Sequence, residues 1–505
     1  MTVVRVQSVF GKAVALALFS VPIAGCGQAG GDESSAATPA LNSSDPQVKA
    51  FYAARNGEPA WDKKAEKALA EVLDNAVTHG LRRDLFLKGD LPKDDTQREA
   101  MLTGAAIRYA EALAQGYTDP KKMDRIYTVP RPKADVAAGL AQAVKSGDLA
   151  SYFESLAPQT EDYRALSAEF VRLAKLADVR GDGQSIAAGK AIKPGQSDPR
   201  LPAIASILAA NGYGDSQQAA PRRYSPQLVA AVKRLQADFG LKPDGVIGPG
   251  TIEAMNQGPG DRARKIAVNL ERLRWLDRQP PATRVDVNTA AAYLEYYRDG
   301  RRRDRRNVVV GQPGKETPEL GSPIFQLVAH PFWRVPESIQ KEELATKSGA
   351  YLADQRIEMR DGRMVQLPGP KNSLGEVKFD MKNDQAIYLH DTPAKALFTA
   401  PERHRSHGCV RVQNALDFAM LLASDDGVLD QFQTKMMEPD QEGFVKLKKE
   451  VPVRLMYRTA YLENGQVKLV DDIYDWDGII AYSLGYVRQP PRMRANDDFG
   501  NDVGP

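Results

Sequence analysis

The sequence predicts a multidomain α+β chain in which an all-helical N-terminal part precedes a mainly β C-terminal part. Two observations carry this. From about Val48 to Val179 apolar residues recur at helical spacing, and from about Thr283 to Tyr457 the period falls to two. The 505 residues fit about three domains at ~150 residues each. Lys and Arg number 68 against 65 Asp and Glu, a net charge of +3, and 42% of residues are hydrophobic. Those figures exclude a disordered polyelectrolyte and a polytopic membrane protein. A balance this even along the chain leaves no basic face for nucleic acid.

Residues 1–25 carry Arg5 and Lys12 ahead of the apolar run Ala13 to Val21. This has the form of an export signal, and the run falls short of the roughly 20 apolar residues a spanning helix needs. Ile23-Ala24-Gly25-Cys26 resembles the lipobox of bacterial lipoproteins. The resemblance implies a signal peptide over 1–25, a mature chain starting at an acylated Cys26, and a periplasmic protein held to the membrane by lipid. Gly27 stands where an Asp would signal inner-membrane retention, so the outer membrane is favoured. Residues 26–46 are small, polar and punctuated by Gly and Pro, a flexible tether. Only two cysteines exist, so acylation of Cys26 leaves Cys409 without a disulfide partner.

Over 47–180, Leu69, Val72, Leu73, Ala76 and Val77 share one helix face, as do Ala106, Ala110 and Leu113, and Leu166, Phe170, Leu173 and Ala177. His79, near a helix end, is expected to be a cation favoured by the helix dipole. Residues 181–199 have linker composition. Residues 200–258 predict short helices around a turn: Leu201 to Asn211, then Ser225 to Phe239, with Ser225-Pro226 as cap and first turn. Leu235-Gln236, followed by Asp244-Gly245, Gly248 and Thr251, resembles the signature of the three-helix peptidoglycan-binding domain.

The β-rich region spans 283–458, and its segment of about 337–376 is polar and mixed, as an inserted lid would be. Arg301-Arg302-Arg303-Asp304-Arg305-Arg306 follows Asp299-Gly300 and is expected to be a solvated hairpin tip. Residues 459–487 form an extension whose Asn464-Gly465 suits a type I′ hairpin turn. Residues 488–505 have the composition of a disordered tail.

Three of the five histidines fall within 20 residues of Cys409: His390, His404 and His407. A free thiol titrates near 8.5 and needs a base or cation to act as a nucleophile. In extended chain His407 and Cys409 face the same way, and Gly408 lets the backbone bend and a substrate approach. Leu416, Ala419, Met420 and Ala423 place a helix after Cys409, whose N-terminus would stabilise thiolate. On the residues alone, two other readings stay open. His390, His404, His407 and Cys409 are also zinc-type donors, and a free cysteine can be an inert buried side chain.

His390, then Ser406-His407-Gly408-Cys409-Val410-Arg411 after a 15-residue gap, resembles the signature of the L,D-transpeptidase catalytic domain. The order of parts is similar to the large periplasmic subfamily, which joins a helical scaffold, a peptidoglycan-binding domain and a lid-bearing catalytic domain. Phe51-Tyr52 through Trp61, Pro331 to Pro336, and Gly369 to Gly375 share that likeness. The resemblance implies Cys409 as nucleophile, His407 as its base, and N–H groups around Gly408 and Cys409 as an oxyanion site. His390 would line the donor site, Ser406 would help orient His407 through the backbone or side chain, and Arg411 would support the loop or a substrate carboxylate. It implies 3-3 crosslinking of peptidoglycan stem peptides with release of D-Ala, acylation by carbapenems, and no metal or organic cofactor. Cell-wall synthesis proteins are candidate partners. Hydrolysis of the same thioester, cleavage of a protein-to-peptidoglycan bond, or a non-catalytic wall-binding lipoprotein are the rival functions.

Overall fold

The computed structural model describes residues 43–123, 126–180, 186–187, 189–214 and 222–486. The signal peptide, Cys26, all but the last residues of the tether, and the 488–505 tail lie outside the described residues. The chain divides into Met1–Ala37, outside that range, and Thr38–Pro505, to which everything below belongs.

Six helices build the N-terminal part: α1 (Pro46–Ala53), α2 (Lys63–Asp74), α3 (Asp95–Gln115), α4 (Ala137–Ser146), α5 (Leu149–Leu156) and α6 (Glu161–Arg180). Aspartate caps start several of them, with Asp62 accepting from the Ala65 N–H and Asp94 from the Gln97 N–H. The Phe51-Tyr52 and Trp61 motif is a buried polar clasp. The Tyr52 hydroxyl and the Ala60 and Trp61 N–H groups donate to Glu99, while Trp61 Nε1 donates to Thr103. His79 differs from expectation. It is 4% exposed and bonds the Tyr163 hydroxyl and Glu154, so side-chain partners hold it rather than a helix dipole.

Helices α7 (Leu201–Ala210), α8 (Pro226–Asp238) and α9 (Pro249–Asn256) follow. Gln236 pins the loop between α8 and α9 from inside, accepting from the Gly245 N–H and donating to the Val246 carbonyl. The segment read as a linker is not free along its length. Ile192 is buried and pairs with Ile247, and Gly195 and Gln196 bond Tyr224, because two isoleucines there have apolar surface to bury.

Residues 259–282, between the regions with a clear apolar period, hold the central helix of the molecule, α10 (Pro259–Trp275). Its periodicity is masked by charge: Arg262, Glu271, Arg272 and Arg274 are all buried. The Arg274–Glu271 ion pair is fully buried on both sides, at 2.7 Å. Arg274 also donates to the His79 carbonyl and Tyr163 hydroxyl, and Glu271 accepts from the Thr118 N–H and hydroxyl and from Trp275 Nε1. Gly116, at φ +94°, packs so closely on Trp275 that a Cβ there would lie 2.5 Å from the indole.

Nine strands make the main sheet: β1 (Arg284–Asn288), β2 (Tyr293–Arg298), β3 (Arg301–Gly311), β4 (Gly321–Ala329), β8 (Val377–Met381), β9 (Leu389–His390), β10 (His404–Ser406), β11 (Val410–Val412) and β12 (Gly443–Met456). Between β4 and β8 lie β5 (Trp333–Arg334), β6 (Ile357–Arg360) and β7 (Arg363–Gln366), which form a separate sheet. The main order is β10-β3-β11-β9-β8-β4-β12-β1-β2, and since β2 also pairs with β3 the strands from β3 to β2 close into a ring, with β10 joined to β3 at its end. Helices α13 (Ala415–Asp426) and α14 (Leu429–Met436) join its core through Phe418, Leu422 and Phe432. The turn of the β2–β3 hairpin is Asp299-Gly300, at φ 50° and 80°. The arginine run is therefore strand rather than tip, and carboxylates answer it: Arg302 bonds Glu295, Arg303 pairs with Asp425, Arg305 with Glu463 and Arg306 with Asp304.

The lid segment holds α11 (Glu337–Ile339), a π-helical turn over Gln340–Leu344, and α12 (Gly349–Asp354), with its own core of Trp333, Val335, Ile339, Leu344, Ile357 and Leu374. The extension forms the hairpin β13 (Ala460–Glu463) and β14 (Gln466–Leu469) and ends in α15 (Asp477–Ser483). Asn464 and Gly465 both have positive φ, at 49° and 75°, as a type I′ turn requires. Arg272 of α10 pairs with Asp477 of α15, and Asn269 exchanges two hydrogen bonds with Thr459, so α10 binds this extension as well.

Replacing Arg274 with methionine strands the Glu271 carboxylate in the interior. We expect Arg274→Met to lower the unfolding free energy by about 3–5 kcal/mol in chemical denaturation. A midpoint equal to that of the parent would remove α10 from its central role.

Candidate active site

Cys409 sits on the turn between β10 and β11. That turn is a bend, not extended chain: Gly408 has φ +112°, a backbone conformation open to glycine and strained for any side chain. Ser406 holds the bend, its hydroxyl donating to the Cys409 carbonyl at 2.6 Å and accepting from the Gly408 N–H at 3.2 Å. Ser406 acts through the backbone of the turn, one of the two ways expected of it, while the Gly408 N–H, expected to serve an oxyanion, is already committed.

A second clamp comes from sequence-distant residues. Thr317 donates its hydroxyl to the Gly408 carbonyl at 2.8 Å and accepts from the Gly311 N–H at 2.9 Å. The Tyr474 hydroxyl, from the C-terminal extension, donates to the Gly311 carbonyl at 2.6 Å. Tyr474 in turn stacks on Tyr457, centroids 5.0 Å apart, and meets His404 edge-on at 5.5 Å. Nothing in the spacing of Thr317 or Tyr474 pointed to the site, since their role rests on contacts across about 90 and 160 residues.

The Cys409 thiol is 8% exposed, with Ala386 carbonyl oxygen 3.8 Å from Sγ. Burial pushes it up to about 11, against weaker lowering by Tyr388, Lys378 and Arg411. The expected helix N-terminus is not there: β11 and Val412 to Asn414 separate Cys409 from α13, so the helix dipole does not offset that burial. At neutral pH the resting site holds a thiol, and a base is needed to activate it.

His407 bonds the Glu343 carboxylate of the lid through Nε2. Lys315 joins the same carboxylate at 3.4 Å and that of Glu342 at 3.2 Å. Tyr388, half-buried, packs against both the lid core and the sheet core and shares a hydrogen bond with the Cys409 thiol. The lid therefore touches His407 through Glu343 and meets Tyr388, the neighbour of the thiol.

The remaining candidates have different surroundings. His390 is fully buried at the end of β9, opposite Arg411 in the β9–β11 register. Its Nδ1 bonds the Asp391 carbonyl, its Nε2 is a buried acceptor with no hydrogen-bond partner among the described residues, and burial, reinforced by the Arg411 charge, pushes it down to about 3. It is a neutral imidazole beneath the site rather than along an exposed wall. Arg411 is 2% exposed, so it supports the sheet under the loop and presents no face to a carboxylate. His404 bonds Glu402 and the Thr289 carbonyl. Among the described residues no three His, Cys, Asp or Glu side chains are grouped as a metal site.

Three families match this chain in succession: a scaffold domain over residues 46–170, a "Putative peptidoglycan binding domain" over 197–255, and an L,D-transpeptidase catalytic domain over 282–429. A "Putative L,D-transpeptidase" from Haemophilus influenzae is 29% identical over 237 residues, a match that spans 42% of this chain and 48% of that relative. Among solved structures, an L,D-transpeptidase from Stackebrandtia nassauensis aligns at 16% identity over 56% of this chain and 100% of its own, with a TM-score of 0.22. One from Mycobacterium smegmatis aligns at 11% identity over 35% of this chain and 58% of its own, with a TM-score of 0.20.

Two outcomes follow from the geometry. In the free protein, alkylation of Cys409 by iodoacetamide is expected to be slow at pH 7 and to accelerate up to about pH 11, where a free thiol would level off near 8.5. A plateau by pH 8 contradicts the burial argument. Tyr474→Phe removes the hydroxyl that anchors Gly311 and is expected to cost about 1–3 kcal/mol in unfolding free energy.

Proposed function

We propose that this chain, which belongs to the L,D-transpeptidase family, crosslinks peptidoglycan stem peptides through a thioester on Cys409. The observation that carries the reading is a thiol, the single cysteine among the described residues, on a bend that Ser406 and Thr317 hold, inside the segment that matches the catalytic domain.

His407 takes the Cys409 proton as Sγ bonds to the carbonyl carbon of the third residue of a tetrapeptide stem. The tetrahedral oxyanion needs preorganised donors, which are worth several kcal/mol to the transition state. With the Gly408 N–H held by Ser406, the Cys409 N–H is the donor left open, since it bonds nothing among the described residues. Collapse breaks the bond to the terminal D-Ala, whose amine leaves with the proton from His407. An amine from a neighbouring stem then passes a proton to His407, attacks the thioester carbonyl and regenerates the thiol. The buried thiol favours an amine over water as resolving nucleophile, because a site that excludes solvent limits hydrolysis.

The peptidoglycan-binding segment and the scaffold would hold the strand near the site. Acylation at Cys26 would keep the protein at the periplasmic face of the outer membrane, where its substrate lies.

The test is intact mass of the full mature chain after incubation with disaccharide tetrapeptide or a carbapenem, beside Cys409→Ala. We expect an adduct on the parent alone, with crosslinked dimer and D-Ala as products. An adduct that persists in Cys409→Ala, or monomer tripeptide as the sole product, would overturn the mechanism or the transpeptidation respectively.

A further inference from the structure

We infer that the cleft between the scaffold helices and the outer face of β1, β2 and β12 is a further binding site, which takes an uncharged N-acetylated saccharide, the chemistry of the glycan backbone of peptidoglycan. None of its lining residues belongs to the Cys409 turn or to residues 197–255, the segment that matches the peptidoglycan-binding domain.

The strands supply one side of the cleft. Along β1, Val285 and Val287 enter the catalytic core, so Arg284, Asp286 and Asn288 take the opposite face. Along β2, Leu294 and Tyr296 enter the same core and leave Tyr293, Glu295 and Tyr297 outside it. The register sets Arg284 beside Tyr297, Asp286 beside Glu295 and Asn288 beside Tyr293, with Arg454 of β12 on the other flank of Asp286, so the patch is continuous. These side chains line a cleft of about 780 Å³, inside the range of roughly 300–1,000 Å³ that small-molecule sites occupy. The other side is apolar, with Pro132, Val136, Pro158 and Leu276.

Charge decides which part of a wall polymer fits. Each of the four arginines that line the cleft already has its acceptors. Arg454 grips Asp286 through two bonds of 2.7 Å, and Arg284 donates to the same carboxylate at 2.8 Å. Arg458 pairs with Asp162, and Arg278 donates to main-chain carbonyls, those of Leu276 and Ala114 among them. A ligand carboxylate would have to displace one of these partners, which disfavours the anionic stem peptide. Hydroxyl donors meet no such conflict. Each oxygen of an ionised carboxylate can accept about two hydrogen bonds. Glu295 accepts one at Oε1 from Arg302 and one at Oε2 from the Tyr297 hydroxyl, so both oxygens keep room for a ligand hydroxyl.

The rings supply the second element of saccharide recognition. A pyranose offers C–H patches on its faces and hydroxyls on its rim, and tyrosine, an apolar body with a polar tip, answers both. The Arg284 guanidinium lies 4.0 Å from the Tyr297 ring centre and that of Arg305 4.2 Å from the Tyr293 ring centre, so both rings are held before any ligand arrives. Groups fixed in this way lose little freedom on binding. The acetamido methyl, in turn, suits the apolar side. A glycan bound here is tethered to the catalytic sheet itself, not through a neighbouring domain.

The experiment titrates the full mature chain with chitotetraose, an uncharged N-acetylglucosamine oligomer, by calorimetry, and locates the bound sugar by hydrogen exchange. We expect binding that slows exchange in residues 132–136 and 155–160. Tyr297→Ala should weaken it about tenfold or more, and Glu295→Gln about three- to tenfold. Both variants should keep the parent rate of Cys409 acylation by a carbapenem, which shows that the catalytic part is folded. Parent-like affinity in both variants, or slowed exchange confined to residues 200–258, would overturn the inference. So would a chain that binds disaccharide tetrapeptide but not chitotetraose, because the stem peptide would then be the ligand. A parent that binds chitotetraose in the cleft yet forms no carbapenem adduct would uphold this site and overturn the proposed function instead.

Discussion

The buried Glu271–Arg274 pair is the interaction on which the rest of the molecule depends. Two charges at zero exposure are costly unless every donor and acceptor is met. The partners that meet them come from far apart in the chain: Thr118 from the helical part, the His79 carbonyl and Tyr163 from its other side, and Trp275 from α10 itself. Satisfying this pair requires the scaffold helices to assemble around α10. Two further polar groups on the same helix, Arg272 and Asn269, do the same for the C-terminal extension through Asp477 and Thr459. The helix is thus an axle with charges where a smaller protein would place leucine.

That arrangement reaches the site through the extension. Once α10 fixes Asp477 and Thr459, the Tyr457 and Tyr474 stack between them has a defined place, and Tyr474 meets the loop that holds Gly408. The thiol turn is accordingly held by Ser406 and by Thr317, and the lid meets it at His407. Of these supports only Ser406 lies close to Cys409 in sequence.

The helical and β regions were legible because their apolar periods differ, and the hairpin at Asn464-Gly465 because that dipeptide meets a conformational need few others can. The cluster of Ser406, His407, Gly408 and Cys409 was legible as a motif. What escaped was whatever depends on burying charge or on distance along the chain. Helix α10 reads as a solvated basic segment until its ion pairs are seen, and the arginine run of β3 reads as a tip until its carboxylates are found. Glu343 stands in a polar stretch like any surface glutamate. The thiol environment was misjudged for a related reason: a motif locates Cys409 but says nothing of the sheet core that buries it, and burial raises its pKa.

A thiol that stays protonated is a poor target for oxidants as well as for substrates. Peroxide and disulfides react with thiolate, so the burial that pushes Cys409 up to about 11 also slows its conversion to sulfenic and sulfinic acids. The burial that disfavours the Cys409 thiolate also lengthens the chemical lifetime of the thiol, which matters for a side chain with no second cysteine among the described residues to rescue it.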